Sequence, residues 1–281
     1  MTDETPREVL SDGSEDGDGD GPGAARMPLV EHLTELRRRL IYALIGFIIT
    51  FFICFAFADM LFNFLVEPLA RVWGNTGNHR LIFTALHEKF FTDIKIAFFA
   101  AAFVAFPLIS GQLWFFVAPG LYRKEKRAFL PFLVATPFLF FAGGTFVYYF
   151  LMPVAWQFFT SFEQIAGQGP MAIELEPKVN EYLSLVMRLI FAFGISFELP
   201  VVLTLLVKVG LTSAEGLRKK RRYAIVIAFI AAAVLTPPDP LSQLALALPI
   251  IFLYEVSILC ARLIERRRDA GRDAYADEDE L

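Results

Sequence analysis

Residues 182–207 read YLSLVMRLIFAFGISFELPVVLTLLV, an apolar run with only two charged side chains, Arg188 and Glu198. A helix needs about 20 predominantly apolar residues to cross the hydrocarbon core of a bilayer, and this run meets that length. An acidic side chain inside such a span is energetically costly, so it generally faces protein, water or a ligand. The run therefore predicts a membrane-spanning helix and marks Glu198 as a candidate functional residue.

The composition of the whole chain is that of a membrane protein. Of its 281 residues, 56% are hydrophobic and 31 are phenylalanine. The two ends differ, because the first 26 residues hold eight acids and many glycines, and the chain ends in Asp-Glu-Asp-Glu-Leu. Segments this polar bury too little apolar surface to offset chain entropy. We predict a disordered acidic extension over 1–27, a membrane domain over 28–264 and a disordered charged tail over 265–281.

Six apolar runs are candidates for membrane spans. They cover residues 40–57, 90–117, 129–151, 182–207, 223–236 and 241–263. In lipid a helix satisfies all of its own backbone groups, whereas a barrel would need alternating ten-residue strands, which this sequence lacks. The sequence therefore predicts an all-α polytopic membrane protein with six transmembrane helices.

Basic clusters predict how these helices are oriented. Each cluster falls in a segment on the same side of the predicted bundle: residues 37–39, 123–127, 218–222 and 266–268. The opposite loops carry only scattered lysines and arginines. Because cytoplasmic loops carry the excess of basic residues, both termini are predicted to be cytoplasmic.

The predicted spans differ in length. The fifth has about 14 apolar residues, or about 21 Å of helix, which is short of the hydrocarbon thickness. Residues 178–208 of the fourth would extend about 46 Å if helical throughout, so this span must tilt, project or kink at Pro200. Further prolines offer bends in other spans: Pro107, Pro131, Pro137 and Pro249. Curved helices of unequal length predict a concave, cupped arrangement.

The loops on the outer side are longer than a hairpin requires. Residues 58–89 and 152–181 contain prolines, glycines and apolar side chains. We expect these loops to fold against each other or to lie at the membrane interface as a cap.

Motifs for common catalytic chemistry are missing from the sequence. It has no phosphate-binding glycine loop, nucleophile elbow or zinc motif. His32, His79 and His87 lie outside the predicted spans, which argues against an intramembrane hydrolase. We predict no enzymatic activity, cofactor, metal or nucleic-acid partner.

Seven motifs, in order along the chain, resemble TatC, the multispanning core subunit of the twin-arginine protein translocase. They are HLTELRRRL (32–40), EP (67–68), the segment from Thr84 and Glu88 to FFTDIK (90–95), QLWFFVAPGLY (112–122) with Glu125, FGISFELP (193–200), LRKKR (217–221) and LTPPDPLSQ (235–243). The resemblance extends over nearly all of the predicted membrane domain. The acidic extension and Arg188 depart from the family pattern. Arg188 is expected to reach the outer surface with its long side chain or to pair within the membrane.

The resemblance implies a receptor that binds twin-arginine signal peptides at the cytoplasmic face. A guanidinium matches a carboxylate in bidentate geometry, so two acids on separate segments can each take one arginine. The residues implied to form this site are Glu35, Leu36, Arg37, Phe116, Pro119, Tyr122 and Glu125. From the residues alone, a simpler interpretation is open for both acids: a helix-start or loop carboxylate paired with neighbouring cations.

Glu198 and the hairpin after the fifth span have two interpretations each. Glu198 either holds the shape of the protein or lines a membrane-embedded pocket. Thr236, Asp239 and Gln243 surround a proline-rich hairpin and fit turn chemistry, whereas a glutamine in an apolar helix also suits a contact with a partner helix. By resemblance, single-span TatA and TatB subunits dock here, and Pro68 in the first outer loop contributes to assembly.

Family resemblance also implies the setting in which the protein works. Its partners are signal peptides of folded cargo proteins, TatA and TatB, further copies of the chain and the lipid bilayer. The location implied is the bacterial cytoplasmic (inner) membrane, with export driven by the proton-motive force. The alternative function is a proton-coupled small-molecule transporter that uses Glu198. Against it, the sequence shows no internal repeat and no paired broken helices.

Overall fold

A computed structural model describes residues 29–74, 79–117, 126–163, 175–236 and 240–279. Within these ranges the secondary structure is helical apart from one isolated β-bridge, between Ile82 and Lys178. A π-helical segment, Val147–Leu151, joins two of the helices. The helices are α1 (Leu29–Ala56), α2 (Ala58–Trp73), α3 (Glu88–Val104), α4 (Phe106–Val117), α5 (Lys126–Phe146), α6 (Met152–Thr160), α7 (Val179–Phe197), α8 (Leu199–Lys208), α9 (Ala214–Lys219), α10 (Arg221–Leu235) and α11 (Pro240–Asp279).

Membrane-length helices account for most of the described chain. Four are long and apolar enough to cross a bilayer, and α3 with α4 form a fifth, bent candidate: Leu33–Ala56, Leu130–Thr160, Val179–Lys208, Ser242–Arg266 and the pair Glu88–Val104 with Phe106–Phe116. The predicted all-α polytopic class is confirmed. α10 has 15 residues, or about 22 Å of helix. This length is consistent with the short fifth span predicted from the sequence. The total of six spans stays a prediction.

Prolines mark the two breaks within spans. α3 and α4 meet at an angle of 49°, two residues before Pro107. α7 and α8 meet at Glu198, two residues before Pro200. Proline has no backbone N–H and its ring crowds the preceding turn, so the helical hydrogen bonding is interrupted just before it. Pro131, Pro137 and Pro249 lie inside helices that are assigned as continuous.

The long loops form a cap at one end of the helices, as the sequence predicts. Ile82 N donates to the Pro177 carbonyl at 3.2 Å, and Val179 N donates to the Ile82 carbonyl at 3.1 Å. The Tyr182 hydroxyl donates to the Leu65 carbonyl of α2 at 3.0 Å. We call this end, which carries α2 and α6, the outer end, and the end that carries α9 the inner end, following the predicted orientation.

α5 and α7 are held in close contact by glycine. A Cβ atom on Gly143 would lie 2.6 Å from the Phe193 carbonyl oxygen. Only a residue without a side chain allows the backbones to approach this far. Phe193 itself is fully buried, so this contact fixes the part of α7 that leads to Glu198.

α11 continues beyond the membrane domain that the sequence predicts. It runs to Asp279, so its helix includes most of the segment 265–281 for which the sequence predicts a disordered tail. Propagating an existing helix adds one hydrogen bond per residue without a new nucleation step. Arginine and alanine, which are frequent after residue 265, are also good helix formers.

Candidate functional site

Glu35 lies on α1 one helical turn before Arg39, and the two side chains form an ion pair. Arg39 Nε donates a hydrogen bond to Glu35 Oε1 at 2.9 Å. The other carboxylate oxygen, Oε2, is shielded from solvent and has no hydrogen-bond partner among the described residues. The simpler interpretation of Glu35 therefore holds, since it pairs with a neighbouring arginine. The pair nevertheless leaves one anionic oxygen for a second cation.

α4 brings aromatic side chains to this ion pair. The Arg39 guanidinium carbon lies 5.5 Å from the centre of the Phe115 ring, a distance at which cation and ring attract. Farther along α1, a Cβ atom on Gly46 would lie 3.0 Å from the Leu108 side chain, so the glycine permits α1 and α4 to pack closely. Phe116, which follows Phe115 in the last turn of α4, is half-buried.

The remaining predicted peptide contacts divide into two groups. Leu36 is 40% exposed and Arg37 is exposed, so both lie at the surface beside Glu35. The other three predicted residues lie outside the described part of the chain: Pro119, Tyr122 and Glu125. The segment that contains them, residues 118–125, connects the end of α4 to the start of α5.

Glu198 lies at the junction of α7 and α8, inside a membrane span. Its side chain interacts with the hydroxyl group of Thr136 on α5. One of its carboxylate oxygens, Oε1, is buried and has no hydrogen-bond partner among the described residues. Thr136 in turn accepts a hydrogen bond from Trp114 Nε1 of α4 at 3.2 Å.

The Trp114–Thr136–Glu198 contacts connect the two predicted sites. Trp114 precedes Phe115 on α4, so the same helix end contacts Arg39 of the surface ion pair and Thr136, the partner of Glu198. Neither Trp114 nor Thr136 is among the functional residues predicted from the sequence. A tryptophan and a threonine inside apolar runs are the available signal, because both carry a polar group that needs a partner when buried.

Polar residues at the outer ends of α10 and α11 make hydrogen bonds within the chain. The Thr236 hydroxyl donates to the Ala232 carbonyl at 2.9 Å. Gln243 Nε2 donates across to the Phe229 carbonyl of α10 at 3.3 Å. Asp239, the third residue of this predicted set, lies outside the described residues. Next to this hydrogen bond, α10 presents a row of exposed apolar side chains: Tyr223, Val226, Ile227, Ile230 and Val234.

Pro68 lies inside α2 and is buried. The neighbouring Glu67 is exposed and pairs with Arg71 at 2.6 Å. The hydrogen bond and positive charge of Arg71 lower the pKa of the Glu67 carboxyl. Glu67 also accepts a hydrogen bond from the Tyr148 hydroxyl at 3.3 Å, which ties α2 to the span beneath it.

Comparisons with known proteins match nearly the whole described chain. The family described as Sec-independent protein translocase protein (TatC) matches residues 31–249. The TatC protein of Magnetococcus marinus is 51% identical over 86% of this chain and 87% of its own length. The Escherichia coli K12 protein is 39% identical, with 84% of this chain and 88% of the relative covered.

A solved structure gives the same result at the level of the fold. The crystal structure of the twin-arginine translocase receptor TatC superposes with a TM-score of 0.72 at 38% identity. The match covers 83% of this chain and 99% of the solved chain. Sequence and fold therefore agree, and the chain belongs to the TatC family of Sec-independent protein translocase proteins.

Proposed function

We propose that this protein is the receptor subunit of a twin-arginine translocase and binds twin-arginine signal peptides at its inner end. The observation that carries the proposal is the buried Oε2 atom of Glu35, which has no hydrogen-bond partner among the described residues. Only 12% of the Glu35 side chain is exposed, and a buried acceptor without a partner costs about 1–3 kcal/mol. An arginine of the signal peptide would supply the missing donor.

In this proposal Arg39 remains bound when the peptide arrives. It holds Oε1 and fixes the carboxylate, while the first peptide arginine donates to Oε2. Glu125 takes the second arginine. The peptide site proposed here is bordered by Leu36, Arg37, Phe116, Pro119 and Tyr122. An exposed Leu36 suits contact with an apolar part of the peptide. The repulsion from Arg37 and its neighbours is offset because the carboxylate interaction is short-ranged and charge-assisted.

Glu198 acts after recognition. Its carboxylate interacts with Thr136, which accepts a hydrogen bond from Trp114 of α4. A peptide that moves the end of α4 would therefore disturb the surroundings of Glu198. Alternatively, Glu198 only holds the shape of this pocket.

Partner subunits complete the translocase. We propose that single-span TatA and TatB helices dock on α10 and α11, where the exposed apolar row of α10 leads toward Thr236 and Gln243. Asp239, which lies outside the described residues, is proposed to contribute to the same contact. Pro68 is buried within α2, so its effect on assembly, including contacts between copies of the chain, would act through the position of α2. The protein would reside in the bacterial cytoplasmic membrane with both termini in the cytoplasm.

The competing interpretation, a small-molecule transporter, receives no support from the comparisons, which match protein translocase subunits rather than enzymes or solute carriers. A photo-crosslinking experiment tests the proposal. A twin-arginine peptide with a photoreactive group beside its arginines should label the purified protein at α1 and at the end of α4. Equal labelling by the Lys-Lys version, or labelling by neither, would contradict the receptor function.

A further inference from the structure

Two cations inside membrane spans have no acidic partner in the described part of the chain. Lys95 lies on α3, seven residues after the helix begins, and is half-buried. Arg188 lies on α7, nine residues after that helix begins, and is exposed. The ion pairs near the outer end involve other cations, including Lys89 and Lys178. Cations at membrane depth generally require a compensating anion or access to water.

Lys95 contacts Ser184 of α7, and Arg188 lies one helical turn farther along the same helix. Lys95 Nζ lies 2.5 Å from Asn180 Oδ1 and 3.0 Å from Ser184 Oγ. Ser184 precedes Arg188 by one helical turn on α7. Side chains lean toward the N-terminus of their helix, and both α3 and α7 begin at the outer end. A lean of this kind would bring the long Arg188 side chain toward Ser184, which the Lys95 ammonium contacts.

A polar cavity opens on the outer side of these cations. Its volume is about 400 Å³, and Glu88, Lys95, Asn180 and Glu181 are among its lining residues. The acids are already engaged: Glu88 accepts from Thr84 N at 2.7 Å and Asn180 N at 3.3 Å, and Glu181 lies 3.6 Å from Lys178. Among the described residues, neither carboxylate forms an ion pair with Lys95 or Arg188: Glu88 is held by uncharged donors and Glu181 by Lys178.

Apolar side chains continue on the inner side of the cations. Phe98 lies one turn beyond Lys95 on α3 and is 51% exposed, and Ile195 lies two turns beyond Arg188 on α7 and is 62% exposed. From the outer end inward, the groove between α3 and α7 thus presents a polar cavity, two cations and an apolar strip.

We propose that this groove binds an anionic glycerophospholipid of the outer leaflet. The phosphate lies between Lys95 and Arg188, the headgroup occupies the cavity, and an acyl chain follows Phe98 and Ile195. A guanidinium binds phosphate oxygens in bidentate geometry, and hydroxyl groups of a glycerol headgroup find acceptors on Glu88 and Glu181. This lipid satisfies all three parts of the groove. An acidic residue on a partner helix would meet the cations but leave the cavity unfilled.

Native mass spectrometry of the detergent-purified protein tests the proposal with two probes, phosphatidylglycerol and phosphatidylcholine. A cation near a membrane surface contributes about fivefold in affinity for anionic lipid. Because two cations contribute, we expect the first phosphatidylglycerol to bind about 25-fold more tightly than phosphatidylcholine. Lys95→Gln and Arg188→Gln should each reduce that preference about fivefold, and the double variant should abolish it.

Arg80→Gln is the matched control, because Arg80 lies at the same end but pairs with Glu176 at 2.9 Å, and this variant should keep the preference. A thermal melt of each variant checks folding.

If the double variant is unfolded, the single Arg188→Gln and Arg188→Lys variants decide the question. Equal binding of the two lipids, or an unchanged preference in Arg188→Gln, would overturn the proposal. A third outcome would also overturn it. If Arg188→Gln keeps the lipid preference but no longer co-purifies with a single-span subunit, then a carboxylate of that subunit, not a lipid, binds Arg188. The lipid-binding measurement contains no signal peptide, so its result does not depend on whether the protein is a signal-peptide receptor.

Discussion

Arg39 occupies one oxygen of Glu35 and leaves the other buried without a partner in the described part of the chain. This relationship reconciles two interpretations that the sequence presents as alternatives. The glutamate is the structural partner of a neighbouring arginine, and the same pairing presents its second oxygen in a fixed direction. Phe115 of α4 packs against Arg39, so this helix also helps to fix the ion pair.

Replacing Glu35 with glutamine should weaken peptide capture. Glutamine keeps the carbonyl oxygen for Arg39 but removes the charge that strengthens a hydrogen bond to a peptide arginine. A hydrogen bond to a charged group contributes about 1.5–3 kcal/mol, so we expect at least about a tenfold loss of affinity for a twin-arginine peptide. Fluorescence anisotropy with a labelled peptide measures this loss.

Glu215→Gln provides the control for that experiment. Glu215 lies on α9 at the same end and pairs with Lys219 at 2.9 Å, and the hydrogen bond from Lys219 lowers the pKa of its carboxyl. The Glu215 carboxylate is therefore ionised at neutral pH, so this variant also removes one negative charge at the inner end. A comparable loss in Glu215→Gln would show that overall charge, not Glu35, governs binding.

Replacing Glu198 with alanine should separate export from recognition. The variant loses the Thr136 contact within the span but leaves α1 unchanged. We expect peptide affinity within about twofold of the wild type, a difference of about 0.4 kcal/mol, together with reduced export of a folded twin-arginine reporter from cells. Ser196→Ala is the control, because among the described residues the Ser196 hydroxyl donates to the Ala192 carbonyl of its own helix, at 2.7 Å. Normal export by Glu198→Ala would show that this carboxylate is dispensable.

Adding a methyl group at Gly143 should destabilise the membrane domain. The new Cβ atom would lie 2.6 Å from the Phe193 carbonyl oxygen, and such overpacking costs about 1–3 kcal/mol. Gly111→Ala is the matched control, because nothing lies within 4 Å of the position that its Cβ atom would take. Thermal melts in detergent should show a lower midpoint for Gly143→Ala and no decrease for Gly111→Ala. Equal melting midpoints for the two variants would mean that α5 and α7 can move apart to accommodate the methyl group without loss of stability.

Cysteine crosslinking should locate the partner helix on α10. In a background without Cys54 and Cys260, Ile230→Cys should form a disulfide with a cysteine in the span of TatB. Ile230 is 59% exposed and apolar, as a helix-docking position requires. Ala228→Cys, at a position only 2% exposed, should remain uncrosslinked. The opposite pattern would place the partner elsewhere.

Much of the fold was predictable because lipid imposes simple rules. Length and hydropathy identified the five membrane-length candidates, whereas α10 as a sixth, shorter span stays a prediction. The break near Pro107 followed from the missing proline N–H. The folding of the two outer loops against each other was also predicted. The helical course of residues 265–279 was not, because composition alone does not reveal that an anchored helix continues without new nucleation.

The candidate site was predictable only in part. The resemblance pointed to Glu35 and the surrounding apolar run pointed to Glu198, but the contacts of each carboxylate depend on long-range packing. The contact of Arg39 with Phe115 requires α1 and α4 to be neighbours, and the Thr136 contact of Glu198 joins residues that are distant in sequence. The sequence placed Lys95 within a motif but did not predict its contact with Ser184, because that contact requires α3 and α7 to be neighbours.

A double-mutant cycle tests the central claim most directly. The affinity of wild type and Glu35→Gln is measured for the twin-arginine peptide and for versions with lysine at the first or second arginine. If Glu35 binds one of the arginines, the Glu35→Gln loss and the loss from that arginine are non-additive, with a coupling energy of about 1 kcal/mol or more. Additive losses at both arginines, with a coupling energy near zero, would contradict the account.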